Sequence, residues 1–153
     1  MIEEGTTNIL PAGSENFQTG WQTYSGATVT VTSGRSDPFG GTGAYRIQTS
    51  GGSNISKYLI NVKNPSVNGV AYSGSLWIKN NGLAPVDVSL NISSSVTVTS
   101  NQWTRIQLPN RVGNGSLILQ IAFRAKDAAD SLDFDVMYPQ VEEKPYITSY
   151  ISP

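Results

Sequence analysis

Residues 70–79 read VAYSGSLWIK, and the alternation inside this stretch decides the fold. Val70, Tyr72, Leu76 and Ile78 fall on one side of an extended chain, with Ser73, Ser75, Trp77 and Lys79 on the other, because successive side chains of a strand point to opposite faces. Wound as a helix, the same residues would scatter both sets around the axis. The two-residue period recurs outward in both directions. It is found at 86–92 (VDVSLNI), 116–124 (SLILQIAFR), 43–49 (GAYRIQT), 27–32 (ATVTVT), 55–62 (ISKYLINV), 96–99 (VTVT), 103–108 (WTRIQL) and 132–137 (LDFDVM). Turn-forming segments such as SGRSDPFGGTG, SGGSN and KNPSVNG separate the runs. Roughly ten short strands divided by such turns are the signature of an all-β sandwich or barrel, and the fold expected is a two-sheet antiparallel sandwich. The opening TNIL is expected to meet the closing LDFDVMYPQVE. No window reads as a helix, and AKDAAD suffices for one turn at most.

Composition narrows the function. The 153 residues fit one domain, 1–153, with 38% hydrophobic and only 14% charged residues, a balance suited to β-branched strands. Ten basic and eleven acidic residues give a net charge of -1, too little to capture nucleic acid or an anionic membrane by charge. There is no cysteine and no histidine. That removes disulfides, thiolate nucleophiles, the serine-hydrolase triad partner and the usual zinc or copper ligands. The start, MIEEGTTNIL, lacks a basic segment followed by a long apolar run, and no stretch is long enough to insert in a membrane. There is neither an internal repeat nor a low-complexity tail.

The polar faces of the strands hold the candidate ligand-binding residues. Trp77 stands opposite the apolar side of its run, as do Asn91, Gln120, Arg124, Arg46 and Gln48 in theirs. If these strands share a sheet, its outer face carries an indole amid amides and guanidinium groups. Sugar recognition needs that set: an aromatic plate for the C–H face of a pyranose and polar groups for its hydroxyls. A polar solvent face is also the ordinary outcome of amphipathic strands. Tyr24 and Tyr58 are further stacking candidates, Tyr72 is expected inside, and so are Trp21 and Trp103.

Acidic residues suggest two other chemistries. Calcium takes several oxygen ligands, for which Glu15, Asp37, Asp133 and Asp135 are available, together with carbonyls of DPFGG. Glu15 and Asp135 converge if the first and last strands pair. Equally, Asp37 suits a turn cap before Pro38, with Asp133 and Asp135 facing solvent. Glycoside hydrolysis needs two carboxylates, and the close pairs are Glu142 with Glu143 and Asp133 with Asp135. Nothing nearby supplies the apolar pocket that raises an acid's pKa, so the chain is not expected to be an enzyme.

The C-terminal run LDFDVMYPQVEEKPYITSYISP resembles the closing segment of a jelly-roll family of bacteriophage tail and minor structural proteins. In that family an aspartate-bearing last strand precedes a pattern like "gaQLEeG" and then "TSYIPT". Pro139, Gln140, Val141, Glu142 and Glu143 match the first pattern, with Val141 in place of leucine, and Tyr146 to Ile151 match the second. SGSLWIKNNG resembles the family's "ytfSfyvK" strand, VTVTSNQWTRIQL its "vtvT.eWqR..v" strand, and NILPAGSENFQTGWQTYSG the "NlL.ngdF.nG...W" opening of carbohydrate-binding modules of the same shape. The resemblance implies a jelly roll, galactose-binding-domain-like, a glycan held on a concave sheet, and a structural calcium tying the termini. The function expected is therefore a non-catalytic carbohydrate-binding module, virion-borne on a phage tail or otherwise extracellular. The rival expectation is a structural module that contacts other virion subunits and takes no sugar.

Overall fold

Pairing of the alternating runs produces two sheets. The computed structural model describes residues 7–91 and 94–153. Among them the strands are β1 (Trp21–Thr23), β2 (Thr28–Arg35), β3 (Ala44–Ser50), β4 (Ser56–Lys63), β5 (Ala71–Asn80), β6 (Val86–Asn91), β7 (Ser94–Val98), β8 (Thr104–Val112), β9 (Leu119–Ala125) and β10 (Asp133–Glu142). The first sheet has the order β1-β4-β9-β6-β7 and the second β2-β3-β10-β5-β8, with antiparallel neighbours throughout. This is the antiparallel sandwich expected, consistent with a jelly-roll, galactose-binding-like fold. Strand β1 and a 3-10 turn at Ser14–Asn16 are additions, both too short to carry a period. Ile92, expected to close the apolar set of β6, lies outside the described residues.

The inward faces meet in an aromatic stack. Trp21 lies parallel to Tyr58 and to Phe123, each with ring centroids 5.5 Å away. Phe123 of β9 then meets Phe134 of β10 at 4.7 Å, joining the sheets. The indole Nε1–H of Trp21 donates to Ser14 O at 2.9 Å, which fixes the 3-10 turn over the core. Tyr72 is fully buried, as expected. Trp103 is not inside: it precedes β8 and is only half-buried, because the strand begins after it.

The termini converge as the sequence implies. Asn8 is buried, and its side chain donates to Pro139 O and Ile151 O while accepting from Leu10 N and Val141 N. Ile9 N bonds Val141 O at 2.9 Å. Beyond β10 the chain turns back as a strap on the outer face of the second sheet. Thr148 binds the Glu142 carboxylate through its N–H and hydroxyl, Arg105 donates to Thr148 O, and Ile151 N donates to Gln140 Oε1. The motif that suggested a family is thus a clasp.

One irregularity sets the register of the first sheet. Ser56 faces Arg124 and Tyr58 faces Phe123, so Lys57 is an extra residue in β4, a bulge. Its side chain is wholly buried, and the ammonium donates to Gly51 O at 2.8 Å and Ala128 O at 2.7 Å. Replacing Lys57 by Met leaves both carbonyls unpaired and is expected to lower unfolding stability by about 1–3 kcal/mol, read from urea midpoints; an unchanged midpoint refutes this role.

The strap carries its own pH signature. Tyr150 stacks on Tyr138 at 4.2 Å, and burial, then the Glu15 charge, push its phenol up to about 12. An unfolded tyrosine ionises at about pH 10. A raised folded value means the contribution is complete below the unfolded pKa and is lost as pH rises through the folded one. The urea midpoint should therefore fall between pH 10 and about 12, and Tyr150→Phe should remove that part of the fall.

Candidate functional site

Outward-facing residues of the first sheet form a grid defined by register. One row across the strands is Gln22, Leu59, Ala122 and Ser89; the next is Ser56, Arg124, Asp87 and Thr97. Although they point away from the core, Ser56, Leu59, Ala122, Ser89 and Asp87 are all less than 10% exposed. This face is therefore recessed. It holds a groove of about 460 Å³. Leu59 and Ser56 are its buried part, Gln120 and Arg124 its half-buried polar walls, and Gln22, Asn61, Tyr24, Asn54 and Ile118 its exposed rim.

The groove is held in shape by bonds beneath it. Arg124 donates from Nε to Ser56 Oγ at 3.3 Å. Asp87 accepts from Thr97 Oγ1 at 2.6 Å and pairs with Lys126 at 3.1 Å, so its charge is already engaged. Ser89 Oγ, wholly buried beside the groove and not in its lining, has no hydrogen-bond partner, an uncommon state that costs free energy.

The six expected ligand residues do not share one face. Asn91, Gln120 and Arg124 belong to the first sheet, whereas Arg46, Gln48 and Trp77 belong to the second. Alternation reports the face of a residue but not its sheet, and the two outer faces point in opposite directions. Gln120 and Arg124 line the groove, while Asn91 is buried at the end of β6. On the second sheet Arg46 forms a two-bond pair with Asp133, at 2.9 and 2.6 Å. Gln48 borders a shallow polar depression with Thr28, Thr30 and Asp133. Trp77 is half-buried, set across from Met137 and Arg105 and touched by the ring of Phe39. Of the groove residues Tyr24 was legible as a stacking candidate; Gln22, Asn54, Leu59 and Asn61 were not, because β1 and the bulge in β4 leave no periodic mark.

The calcium ligands do not converge. Asp37 accepts three backbone amides, from Phe39, Gly41 and Gly43, which hold its carboxyl below the usual range, Gly43 most strongly. Asp135 is taken up by Arg35 and Asn81. Glu15 keeps one buried oxygen without a partner, but no group of three or more acidic side chains among the described residues is arranged for a cation. A bound calcium does not fit this donor set. Asp133 and Asp135 do share the outer face of β10, and the Arg46 hydrogen bond holds the Asp133 carboxyl below its usual range, the opposite of a poised acid.

No protein-family profile and no curated protein matches this sequence. Solved structures do match in fold. The CBM22-1 xylan-binding domain from Paenibacillus barcinonensis Xyn10C aligns over 90% of this chain and 91% of its own, with TM-score 0.58 and 16% identity. The tandem CBM22-1-CBM22-2 structure from the same protein aligns over 100% of this chain and 48% of its own, with TM-score 0.63 and 16% identity. The enzymatically active domain of bacteriophage CBA120 tailspike protein 4 aligns over 88% of this chain and 21% of its own, with TM-score 0.57 and 12% identity. The chain thus spans less than half the length of the tandem and tailspike structures. At these identities the shared property is the jelly-roll sandwich that also carries carbohydrate-binding modules.

Proposed function

We propose that this domain binds a polysaccharide chain, without acting on it, along the groove of the first sheet. The carrying observation is the recess itself: a floor of outward-facing yet buried residues with amides and a guanidinium group at its walls. A sugar is amphipathic, and Leu59 and Tyr24 offer apolar surface while Gln22, Asn61, Gln120 and Arg124 offer hydrogen bonds. The lining contains no carboxylate, and Asp133 and Asp135 lie on the other sheet in arginine pairs, which favours recognition over hydrolysis. The xylan-binding domain of the same fold adds support for a polysaccharide ligand.

The setting proposed is extracellular, on a phage tail or similar particle. Its support is the TSYI closure in the sequence and the fold shared with a tailspike domain. Repeated copies on a particle multiply a modest affinity by avidity.

Affinity electrophoresis in gels containing soluble xylan, mixed-linkage β-glucan or galactomannan tests the reading. The wild-type domain is expected to be retarded by at least one of these, and Arg124→Ala or Gln120→Ala to weaken binding by roughly tenfold or more. Equal mobility of wild type and both variants in every gel sinks the proposal.

A further inference from the structure

The outer face of the second sheet is mostly closed by the strap and by its charge pairs, except at one end. There Phe39, on the loop between β2 and β3, is 59% exposed, and Tyr138 is 36% exposed. The Phe39 ring meets the Trp77 ring edge-on at 5.2 Å and lies nearly parallel to Tyr138 at 5.8 Å, and Tyr138 in turn stacks on Tyr150 at 4.2 Å. Four aromatic rings from a loop, two strands and the strap therefore form one continuous row.

This row is built to stay in place. Asp37 fixes the loop by accepting from the N–H groups of Phe39, Gly41 and Gly43 at 2.8, 2.9 and 2.9 Å. A Cβ at Gly41 would stand 2.9 Å from Asp37 Oδ2, so a side chain there would push the capping carboxylate aside. Tyr138 has φ 54, within the irregular pairing between Met137 and Gln140. A bulky residue in the left-handed region is strained; here the backbone keeps that strain, and the ring stands on the surface between two others.

An exposed ring held rigid before any partner arrives loses little entropy on binding. With Phe39 59% and Tyr138 36% exposed and Trp77 and Tyr150 half-buried, four partly covered rings offer far less than the roughly 800 Å² per partner of a stable protein interface. Both facts favour a small amphipathic ligand. We propose that Phe39, Trp77, Tyr138 and Tyr150 form a second saccharide-binding platform, on the face opposite the groove, which packs against the apolar C–H face of a pyranose chain. It rests on the groove reading only in the choice of ligand class. With both sites in use, one domain joins two polysaccharide strands.

The indole Nε1–H resonance of Trp77, assigned by its loss in Trp77→Phe, reports on the platform alone. The full chain is titrated with oligosaccharides of xylan and of mixed-linkage β-glucan, followed by 1H–15N spectra. The resonance is expected to move in wild type and in Gln120→Ala, and Phe39→Ala, a change at an exposed loop position, to weaken that response about tenfold. A silent Trp77 while groove amides move overturns the platform and leaves the groove reading standing. Loss of the Trp77 response in Gln120→Ala shows a single site and overturns the platform as a separate one. Movement with protein concentration alone identifies a second copy of the chain as the occupant and overturns the saccharide. Spectra unmoved by every probe overturn both readings.

Discussion

Lys57 is the residue on which the groove depends. An ammonium taken out of water must be compensated, and the carbonyls of Gly51 and Ala128 compensate this one from two different loops. Stapling those loops fixes the end of the first sheet, where Tyr24 N bonds Lys57 O, Ser53 N bonds Ser25 O and Ala125 N bonds Ile55 O. The bulge also shifts the phase of β4. Were Lys57 an ordinary strand residue, Ser56 would share a face with Tyr58 and Ile60 and point into the core; because Lys57 is bulged, Ser56 stands beside Arg124 on the outer face. A lysine that looks like a solvent-exposed charge in the sequence is therefore the keystone of the recess.

The two sheets answer the same problem differently. Each must cover a hydrophobic inner face, and both contribute to one aromatic core. On its outer side the second sheet satisfies its polar groups internally: Arg46 with Asp133, Arg35 and Asn81 with Asp135, and Gln140 and Glu142 with the strap. Among the described residues no strap crosses the groove of the first sheet, and the amide side chains of Gln22, Asn61 and Gln120 line it. Polar groups matched within the fold stabilise it, and amides at an open groove keep their capacity for something else.

Alternation made the strands readable because a half-buried strand must place apolar residues at every second position. It placed Trp77 opposite Tyr72, Leu76 and Ile78 correctly, since that relation is local. It did not divide Arg46, Gln48 and Trp77 from Asn91, Gln120 and Arg124, because sheet membership is decided by pairing between distant segments. Trp103 was expected inside on residue type, yet it sits just ahead of β8, where the strand has not begun to impose a face. Of the acidic candidates, Asp37 takes the turn-capping alternative, legible because its amide partners lie within six residues of it, whereas the partners of Asp135, Arg35 and Asn81, are distant in sequence and left no local mark.

On the proposed saccharide reading, what the groove contains also constrains how it discriminates. Apolar contact alone separates sugars poorly, since epimers present similar C–H surface, and the groove supplies only Leu59, Tyr24 and Ile118 for it. Amide and guanidinium groups are directional, and a hydroxyl in the wrong configuration leaves one of them unpaired at a penalty greater than a lost contact. Arg124 is already oriented by Ser56, so its direction is set before a ligand arrives. On that reading, selectivity is a matter of hydroxyl geometry along the walls, with the apolar surface supplying contact and the directional groups supplying the choice.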